Sequence, residues 1–190
     1  MRPLGLFCLN WTVVVPRVAA VVTGLAPLTG AGAALAYPSA SGSTHDGVQV
    51  LRRYLSTPAE NSFPGQAFTT VYLLDRAYRE AAVPGGTHDR GTPITAPARR
   101  QVTAALAGLA HVVFITSQNS VLETRDGCGH VKNGGILITL GPPDGDGYRV
   151  QVAVNGFVAC LGATRLTYVL HNQPGSGWRV TGTTGPIAIS

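Results

Sequence analysis

The chain has 190 residues, of which only 12% are charged, and 14 basic and nine acidic residues give it a formal net charge of +5. That length is enough for one ordinary domain with its own hydrophobic core, so the fold needs no metal to hold it together. The basic residues are scattered and are not interleaved with aromatic residues. This distribution excludes the footprint of a nucleic-acid-binding protein.

The first 36 residues have the order of a secretory signal peptide. Arg17 precedes an uncharged apolar run of eleven residues, 18–28, and a small-residue segment ends in an A-x-A pattern at 34–36. The alternative is a retained membrane helix beginning near Leu4, which would need about 20 uninterrupted apolar residues. Arg17 and two prolines interrupt this stretch. The sequence therefore predicts cleavage after Ala36, a secreted or cell-envelope location, and no stable membrane span after cleavage.

The residues beyond the predicted cleavage site divide into a leader and a domain. Residues 37–46 are rich in serine, glycine and proline without any periodicity, so we expect a flexible leader there and a single domain at 47–190. Cleavage would lower the formal net charge from +5 to +3. Lys132 is the only lysine beside thirteen arginines, a bias typical of a GC-rich genome, and we interpret the chain as actinobacterial.

The number and positions of the cysteines are consistent with export. Cys8 lies in the predicted signal peptide, which leaves Cys128 and Cys160, and an even pair in an exported domain predicts a disulfide. A zinc site formed by Cys128, His130 and Cys160 is an alternative, but zinc favours Cys-x-x-Cys or His-x-x-x-His pairs and neither occurs. A catalytic cysteine would need a free thiol outside the cell. We expect a disulfide and no metal.

In the first half of the domain, the sequence predicts helices. Their expected ranges are 47–56, 66–82 and 95–109. The second helix would place its apolar residues on one face, namely Phe68, Val71, Leu74, Tyr78 and Ala81. Asp75 would pair with Arg79 four residues later. Thr95 is a suitable N-cap for the third helix, with Pro97 in its first turn.

In the second half of the domain, the sequence predicts strands. Their expected ranges are 111–116, 121–124, 135–140, 148–161, 163–171 and 178–183. Gly156 in the middle of a long strand indicates a β-bulge. No helix separates the later strands, which disfavours a parallel sheet. The fold class is therefore α+β, with amino-terminal helices packed on a curved, mainly antiparallel sheet formed by the carboxy-terminal half.

The order of these elements resembles the cone-shaped α+β domains of the ketosteroid isomerase and nuclear transport factor 2 family. The resemblance covers about residues 47–185 and includes the long strand with Gly156 and the closing sequence Gly-Trp-Arg-Val at 177–180. That family usually places a strand between its second and third helices, where this chain has a Gly- and Pro-rich segment at 83–93. It includes isomerases, dehydratases and non-catalytic modules, so the resemblance implies a fold and not one activity.

Four residues are candidate catalytic groups. Asp126 and His130 flank a glycine-rich segment next to Cys128 and could form an acid–base pair, although a turn at Asp126 followed by a solvated histidine also explains them. Asp75 and Tyr78 could supply an acid and a hydroxyl to a pocket, although an ion pair between Asp75 and Arg79 is the simpler interpretation.

Three further groups of polar residues are candidates for binding. His88, Asp89 and Arg90 lie in a glycine-rich loop of the kind that often binds ligands. The two aspartates in 142–147 suit a hairpin turn better than a calcium loop, because the remaining ligands of an EF-hand are missing. A third set would face either a pocket or solvent: Gln151, Asn155, Thr167 and His171.

The sequence contains no nucleophile elbow and no phosphate-binding glycine loop, so we expect no cofactor. The preferred interpretation is an exported, non-catalytic module that binds a small molecule or an envelope or extracellular protein. The alternative is a small extracytoplasmic isomerase, dehydratase or hydrolase with a pocket between helices and sheet. A cavity lined by titratable groups would favour the enzyme, and a space filled by apolar and aromatic side chains would count against it.

Overall fold

The computed structural model describes residues 41–63, 67–81 and 91–189. The chain divides into two units, Met1–Leu35 and Ala36–Ser190, and all of the described residues belong to the second. The predicted signal peptide, residues 37–40 of the predicted leader and the loop with His88, Asp89 and Arg90 lie outside the described residues. The second unit has an α+β fold with a curled, mostly antiparallel sheet, as the sequence predicts.

Three helices are observed: α1 Ser41–Ser56, α2 Pro58–Asn61 and α3 Ala96–Leu106. Helix α1 begins six residues before its predicted start. Helix α3 begins where predicted, because the Thr95 hydroxyl accepts a hydrogen bond from the Ala98 amide at 3.4 Å. It ends at Leu106, before Leu109, whose side chain is 47% exposed. No helix in the described ranges is long and apolar enough to cross a bilayer.

Eleven strands are observed among the described residues. They are β1 Thr70–Leu74, β2 Arg76–Ala77, β3 Thr92–Pro93, β4 His111–Ile115, β5 Leu122–Arg125, β6 Cys128–Val131, β7 Ile136–Leu140, β8 Asp144–Gly145, β9 Arg149–Ala159, β10 Gly162–Gln173 and β11 Gly177–Ile189. The six predicted strands correspond to β4, β5, β7, β9, β10 and β11, so the strand predictions for the second half are confirmed.

The main sheet has the order β11-β10-β9-β7-β1-β4. Strand β1 is parallel to both of its neighbours, β7 and β4, while β7, β9, β10 and β11 are antiparallel. Helix α3 lies in the connection between the parallel strands β1 and β4, which is the kind of crossover that such a pair requires. The β5–β6 hairpin joins the sheet through β6 and β9, and β2 and β3 form a separate two-stranded ribbon.

The predicted helix at 66–82 is wrong: this segment contains the strands β1 and β2. The run Val-Tyr-Leu-Leu at 71–74 is buried at every position, so β1 is covered on both faces of the sheet. A short continuous apolar run is compatible with either a buried strand or a helix, and the periodicity of the sequence does not distinguish them. The sheet is therefore not confined to the carboxy-terminal half.

The predicted bulge at Gly156 is also wrong. Gly156 pairs in regular register with Ile138 on one side and Thr164 on the other, and the register shift between β9 and β10 occurs next to their turn. A Cβ atom at position 156 would lie 2.8 Å from Cζ of Tyr54 and closer still to its hydroxyl oxygen. Glycine is needed here because the Tyr54 ring packs directly on the backbone of β9.

Alternate residues of the strands face two different apolar clusters. The inner face is the side that packs against α1 and α3, and it carries Val71, Leu73, Ile136, Ile138, Val152, Val154, Leu166, Tyr168 and Leu170. The outer face is the opposite side, where the β5–β6 hairpin region covers a second cluster of Tyr72, Leu74, Val121, Val131 and Leu137. Trp178 and Val180 of β11 also pack against the inner cluster.

Candidate functional site

The inner face holds a partly enclosed cavity of about 160 Å³ at one end of the helices. Its walls come from α1, α3, the β2–β3 ribbon and the segment after β7. They are formed by Gly47, Leu73, Ala77, Thr92, Pro93, Ile94, Thr95, Ala98, Val102, Leu140, Gly141, Pro142, Pro143 and Val152. The remainder of the space between helices and sheet is filled by buried apolar and tyrosine side chains.

Small residues open this cavity. Helix α1 contributes Gly47, which has no side chain, and a Cβ added there would meet only the Cδ1 atom of Leu140 at 3.9 Å. Helix α3 contributes Ala98 and Val102 from its buried face. On the sheet side, Gly141 lies so close to Ala153 that an added Cβ would come within 3.0 Å of the Ala153 Cβ. The two helices therefore reach the sheet without filling the space between them.

The chemistry of the cavity is apolar. None of the described residues that line it has an ionisable side chain, and its hydroxyl groups belong to Thr92 and Thr95. The hydroxyl of Thr95 is already engaged as the cap of α3. Such a surface offers van der Waals contact and the release of ordered water to an apolar group, and it offers no acid or base.

Asp46 is a buried carboxylate one residue before Gly47. Its side chain is 2% exposed, and its Oδ1 atom has no hydrogen-bond partner among the described residues. Burial raises the pKa of Asp46 from 3.8 to about 6, because a low-dielectric environment disfavours the charged form. Sequence reasoning missed this residue because its polar surroundings, Ser-Thr-His-Asp-Gly, are typical of a solvated leader.

Asp75 lies in the bend between β1 and β2 and does not form the predicted helical pair with Arg79. Its Oδ2 atom is 3.3 Å from Nη2 of Arg99 on α3. The Arg99 guanidinium also donates from Nε to the Ile94 carbonyl at 2.9 Å and lies 5.4 Å from the ring centre of Phe114. These contacts attach α3 to the edge of the sheet, so the Asp75–Arg99 pair has a structural role.

Tyr78 is held close to the outer cluster. Its amide donates to the carbonyl of Leu140 at 2.7 Å, and its ring packs against the outer cluster. A Cβ at Gly91 would lie 2.8 Å from the Tyr78 ring. Neither Asp75 nor Tyr78 is among the residues that line the cavity.

Asp126 and His130 belong to the β5–β6 hairpin. Asp126 and Gly127 form its turn with φ angles of 51° and 75°. His130 pairs in register with Glu123, two residue pairs beyond the Arg125–Cys128 pair that closes the turn. Among the described residues no hydrogen bond or ion pair joins Asp126 to His130. The structure does not bring these two residues together as an acid–base pair.

The disulfide between Cys128 and Cys160 is confirmed, with a Cα–Cα distance of 5.5 Å. It joins the start of β6 to the residue after β9 and so attaches the hairpin to the sheet. In the described ranges no group of three or more metal-binding side chains is present. The segment 142–147 forms a hairpin turn, in which Oδ1 of Asp146 accepts hydrogen bonds from the amides of Tyr148 and Arg149.

The polar residues of β9 and β10 do not face the cavity. They lie on the outer face, because their immediate neighbours in the strands are the inner-face valines and leucines. The residues concerned are Gln151, Asn155, Thr167 and His171. The cavity itself combines residues from four distant segments, and only its apolar helix face could have been inferred from the sequence.

Comparisons of the chain with protein-family models, with curated proteins and with solved structures found no match.

Proposed function

We propose that the chain is an exported, non-catalytic module that binds the apolar part of a ligand or partner in the cavity at Gly47. The observation that carries this proposal is a pocket of about 160 Å³ whose described lining residues are apolar or uncharged. Pockets of this kind gain their affinity from buried apolar surface, and a few polar groups at the rim orient the ligand.

The size of the cavity limits the bound group. An engineered apolar cavity of about 150 Å³ in another protein stays dry and binds benzene. A ring of that size or a short branched alkyl group therefore matches the volume here, while the rest of a larger ligand would extend past the exposed residues Thr92 and Pro93 at the rim.

Catalysis has less support. A small isomerase, dehydratase or hydrolase would need an acid or a base in contact with its substrate. The four candidate catalytic residues, Asp75, Tyr78, Asp126 and His130, lie outside the cavity wall. The space between helices and sheet is otherwise filled by tyrosine, phenylalanine and aliphatic side chains.

The binding proposal is tested by filling the cavity. Gly47→Leu places a side chain in open space beside Leu140. In titrations with benzene followed by NMR, the wild-type protein is expected to show saturable shifts of methyl groups in Leu73, Val102 and Leu140. The variant is expected to lose at least about tenfold in affinity, because the added side chain takes the volume of the ligand.

Gly108→Leu is the matched control, because an added Cβ at Gly108 meets no atom within 4 Å and Gly108 does not line the cavity. It should bind benzene like the wild type. Equal binding by Gly47→Leu, or no saturable shift in the wild type, would contradict the proposal.

Export is the second part of the proposal. The Cys128–Cys160 disulfide supports it, since such bonds persist mainly in oxidising compartments. Mass spectrometry of the protein from the culture medium is expected to show a start near Tyr37 and a mass two hydrogens below that of the reduced chain. An intact amino terminus in the cytoplasmic fraction would contradict export.

We also propose a relationship in architecture to the cone-shaped α+β domains. The strand β1 supports it, because it lies between the second and third helices where that family usually has a strand. An experimental structure with a different strand order from the one described above would remove this support.

A further inference from the structure

We infer that Arg149, His171 and Arg179 form a binding site for an oxyanion, a phosphate or carboxylate group, on the outer face of the sheet. The three residues lie on adjacent strands. His171 of β10 pairs in register with Arg149 of β9 on one side and with Arg179 of β11 on the other. Residues that are directly opposite in neighbouring strands have Cβ atoms about 5 Å apart, so the row brings three basic side chains together.

The alternation of the strands places all three side chains on the same face. The next residue of each strand, Val150, Leu170 and Val180, packs in the inner cluster. Successive side chains of a strand point to opposite sides of the sheet, so the basic row faces away from the helices. It is therefore separate from the apolar cavity and does not depend on the function proposed for it.

No short ion pair holds either arginine among the described residues, although the charge of Arg149 helps to lower the pKa of nearby Asp146. The ion pairs among the described residues join Arg53 to Glu60, Arg99 to Asp75 and Arg125 to Glu123, and none includes Arg149 or Arg179. Basic side chains placed directly opposite each other repel and cost stability. An oxyanion between them would remove that cost, and guanidinium groups match phosphate and carboxylate geometry with paired N–H donors.

His171 is held in a defined orientation by a bulge in β11. The register between β10 and β11 shifts between Val169 and Leu170, which leaves Thr181 as the extra residue. Bulges of this kind redirect a side chain, and here the Thr181 hydroxyl lies 2.8 Å from Nδ1 of His171. The same hydroxyl donates to the Val169 carbonyl at 3.3 Å.

This contact leaves the other ring nitrogen of His171 for a ligand. With Nδ1 beside the Thr181 hydroxyl, Nε2 lies on the far side of the ring. No hydrogen bond holds Nε2 among the described residues, and an imidazole N–H at this position can donate to an oxyanion.

Two carboxylates lie on the elements next to the row. Asp146 lies in the turn before β9, and its Oδ1 is occupied by the backbone amides of Tyr148 and Arg149. Asp144 lies on β8, in register with Gln151. The immediate neighbours of His171 are Arg149 from β9 and Arg179 and Thr181 from β11.

The test uses inorganic phosphate as the probe. ¹⁵N-labelled protein is titrated with sodium phosphate at constant ionic strength, and the imidazole ¹⁵N signals of His171 are followed. A saturable shift is expected. Sodium acetate is the second probe. A shift with both anions identifies a general oxyanion site, and a shift with phosphate alone identifies a phosphate site.

Arg149→Gln and Arg179→Gln are each expected to weaken phosphate binding at least about fivefold, because each removes a charged donor. Arg52→Gln is the matched control, since Arg52 is an exposed arginine of α1 and belongs to none of the ion pairs named above. It should bind like the wild type. A shift that sodium chloride reproduces, no saturable shift, or an equal loss in Arg52→Gln would overturn the inference.

Discussion

The inner and outer faces of the same sheet are covered in different ways. On the inner face, α1 packs so closely that the Tyr54 ring touches the backbone of β9 at Gly156. Tyr54, Leu166 and Tyr168 are completely buried there. Here buried side chains join the layers, together with polar contacts such as the Asp75–Arg99 pair, and the apolar cavity opens beside Gly47.

The outer face is covered only in part. The β5–β6 hairpin region places Val121 and Val131 over Tyr72 and Leu137, and the disulfide at Cys128 attaches the hairpin to the sheet. Beyond the hairpin, the outer residues of β9, β10 and β11 include polar and basic side chains next to the apolar Ala153 and Val169. A two-stranded hairpin is marginally stable by itself. The disulfide should therefore contribute more to the free energy of unfolding on the outer face than a covalent link would on the inner face.

Each of these strands therefore serves two environments with alternate residues. Apolar side chains on one side build the core, while their neighbours on the other side are free to form a polar surface. The proposed apolar site and the proposed oxyanion site therefore lie on opposite faces of the same sheet, and each should respond to substitutions that leave the other unchanged.

The largest expected effect concerns the disulfide of the outer face. Cys160→Ser should lower the free energy of unfolding by about 4 kcal/mol, because it releases a closed loop of about 33 residues in the unfolded chain. Urea denaturation under non-reducing conditions measures it. Cys128→Ser should cause the same loss, and a reducing agent should not affect either variant. An unchanged stability would mean that packing alone holds the hairpin.

The next effect concerns the close packing of the inner face. Gly156→Ala should cost about 3 kcal/mol or more, since the new Cβ would lie 2.8 Å from Cζ of Tyr54 in a core that cannot expand freely. Gly129→Ala on the hairpin is the control, where the nearest atom, Cζ of Phe157, is 4.0 Å away. It should cost less than about 1 kcal/mol. Equal losses in the two variants would contradict the difference in packing.

The smallest expected effect concerns the buried carboxylate of Asp46, whose pKa is raised to about 6 from 3.8. The folded protein holds this proton more tightly than the unfolded chain does. Stability should therefore fall as pH rises from about 4 to about 6, by up to about 3 kcal/mol in total. Asp46→Asn should remove this dependence and gain stability relative to the wild type at pH 7.5 but not at pH 4.

Asp146→Asn provides a control of opposite sign. Backbone amides of Tyr148 and Arg149 lower the pKa of this exposed carboxylate, so its contribution is present at neutral pH and is lost as pH falls below the ordinary range of an aspartate. The variant should be less stable than the wild type at pH 7.5. If both substitutions change stability in the same direction at pH 7.5, Asp46 is not a buried, uncompensated charge.

The elements of the second half could be predicted from sequence because alternation is a local signal. Val150, Val152 and Val154 show the two-residue period of a half-buried strand, and the structure places them in one cluster. The capped start of α3 at Thr95 is equally local. The helix predicted at 66–82 is wrong because β1 is buried on both faces and so lacks alternation.

The candidate site was less predictable. The acid–base pair of Asp126 and His130 was suggested by closeness in sequence, but the hairpin register separates the two residues. The cavity depends on where Gly47 and Ala98 approach Leu140, which lies more than 40 residues from either. Contacts between such distant segments follow from the packing of layers and leave no short pattern in the chain.

By itself, the sequence determined the α+β class, the strands of the second half, the capped helix and the pairing of Cys128 with Cys160. These features follow from local periodicity, from side-chain capping and from the small number of cysteines. Only the tertiary structure decided that β1 is a central parallel strand, that Asp46 is buried, and that Arg149 and Arg179 flank His171. The physical reason is that burial and sheet register are properties of neighbours far away in the chain, which no local pattern specifies.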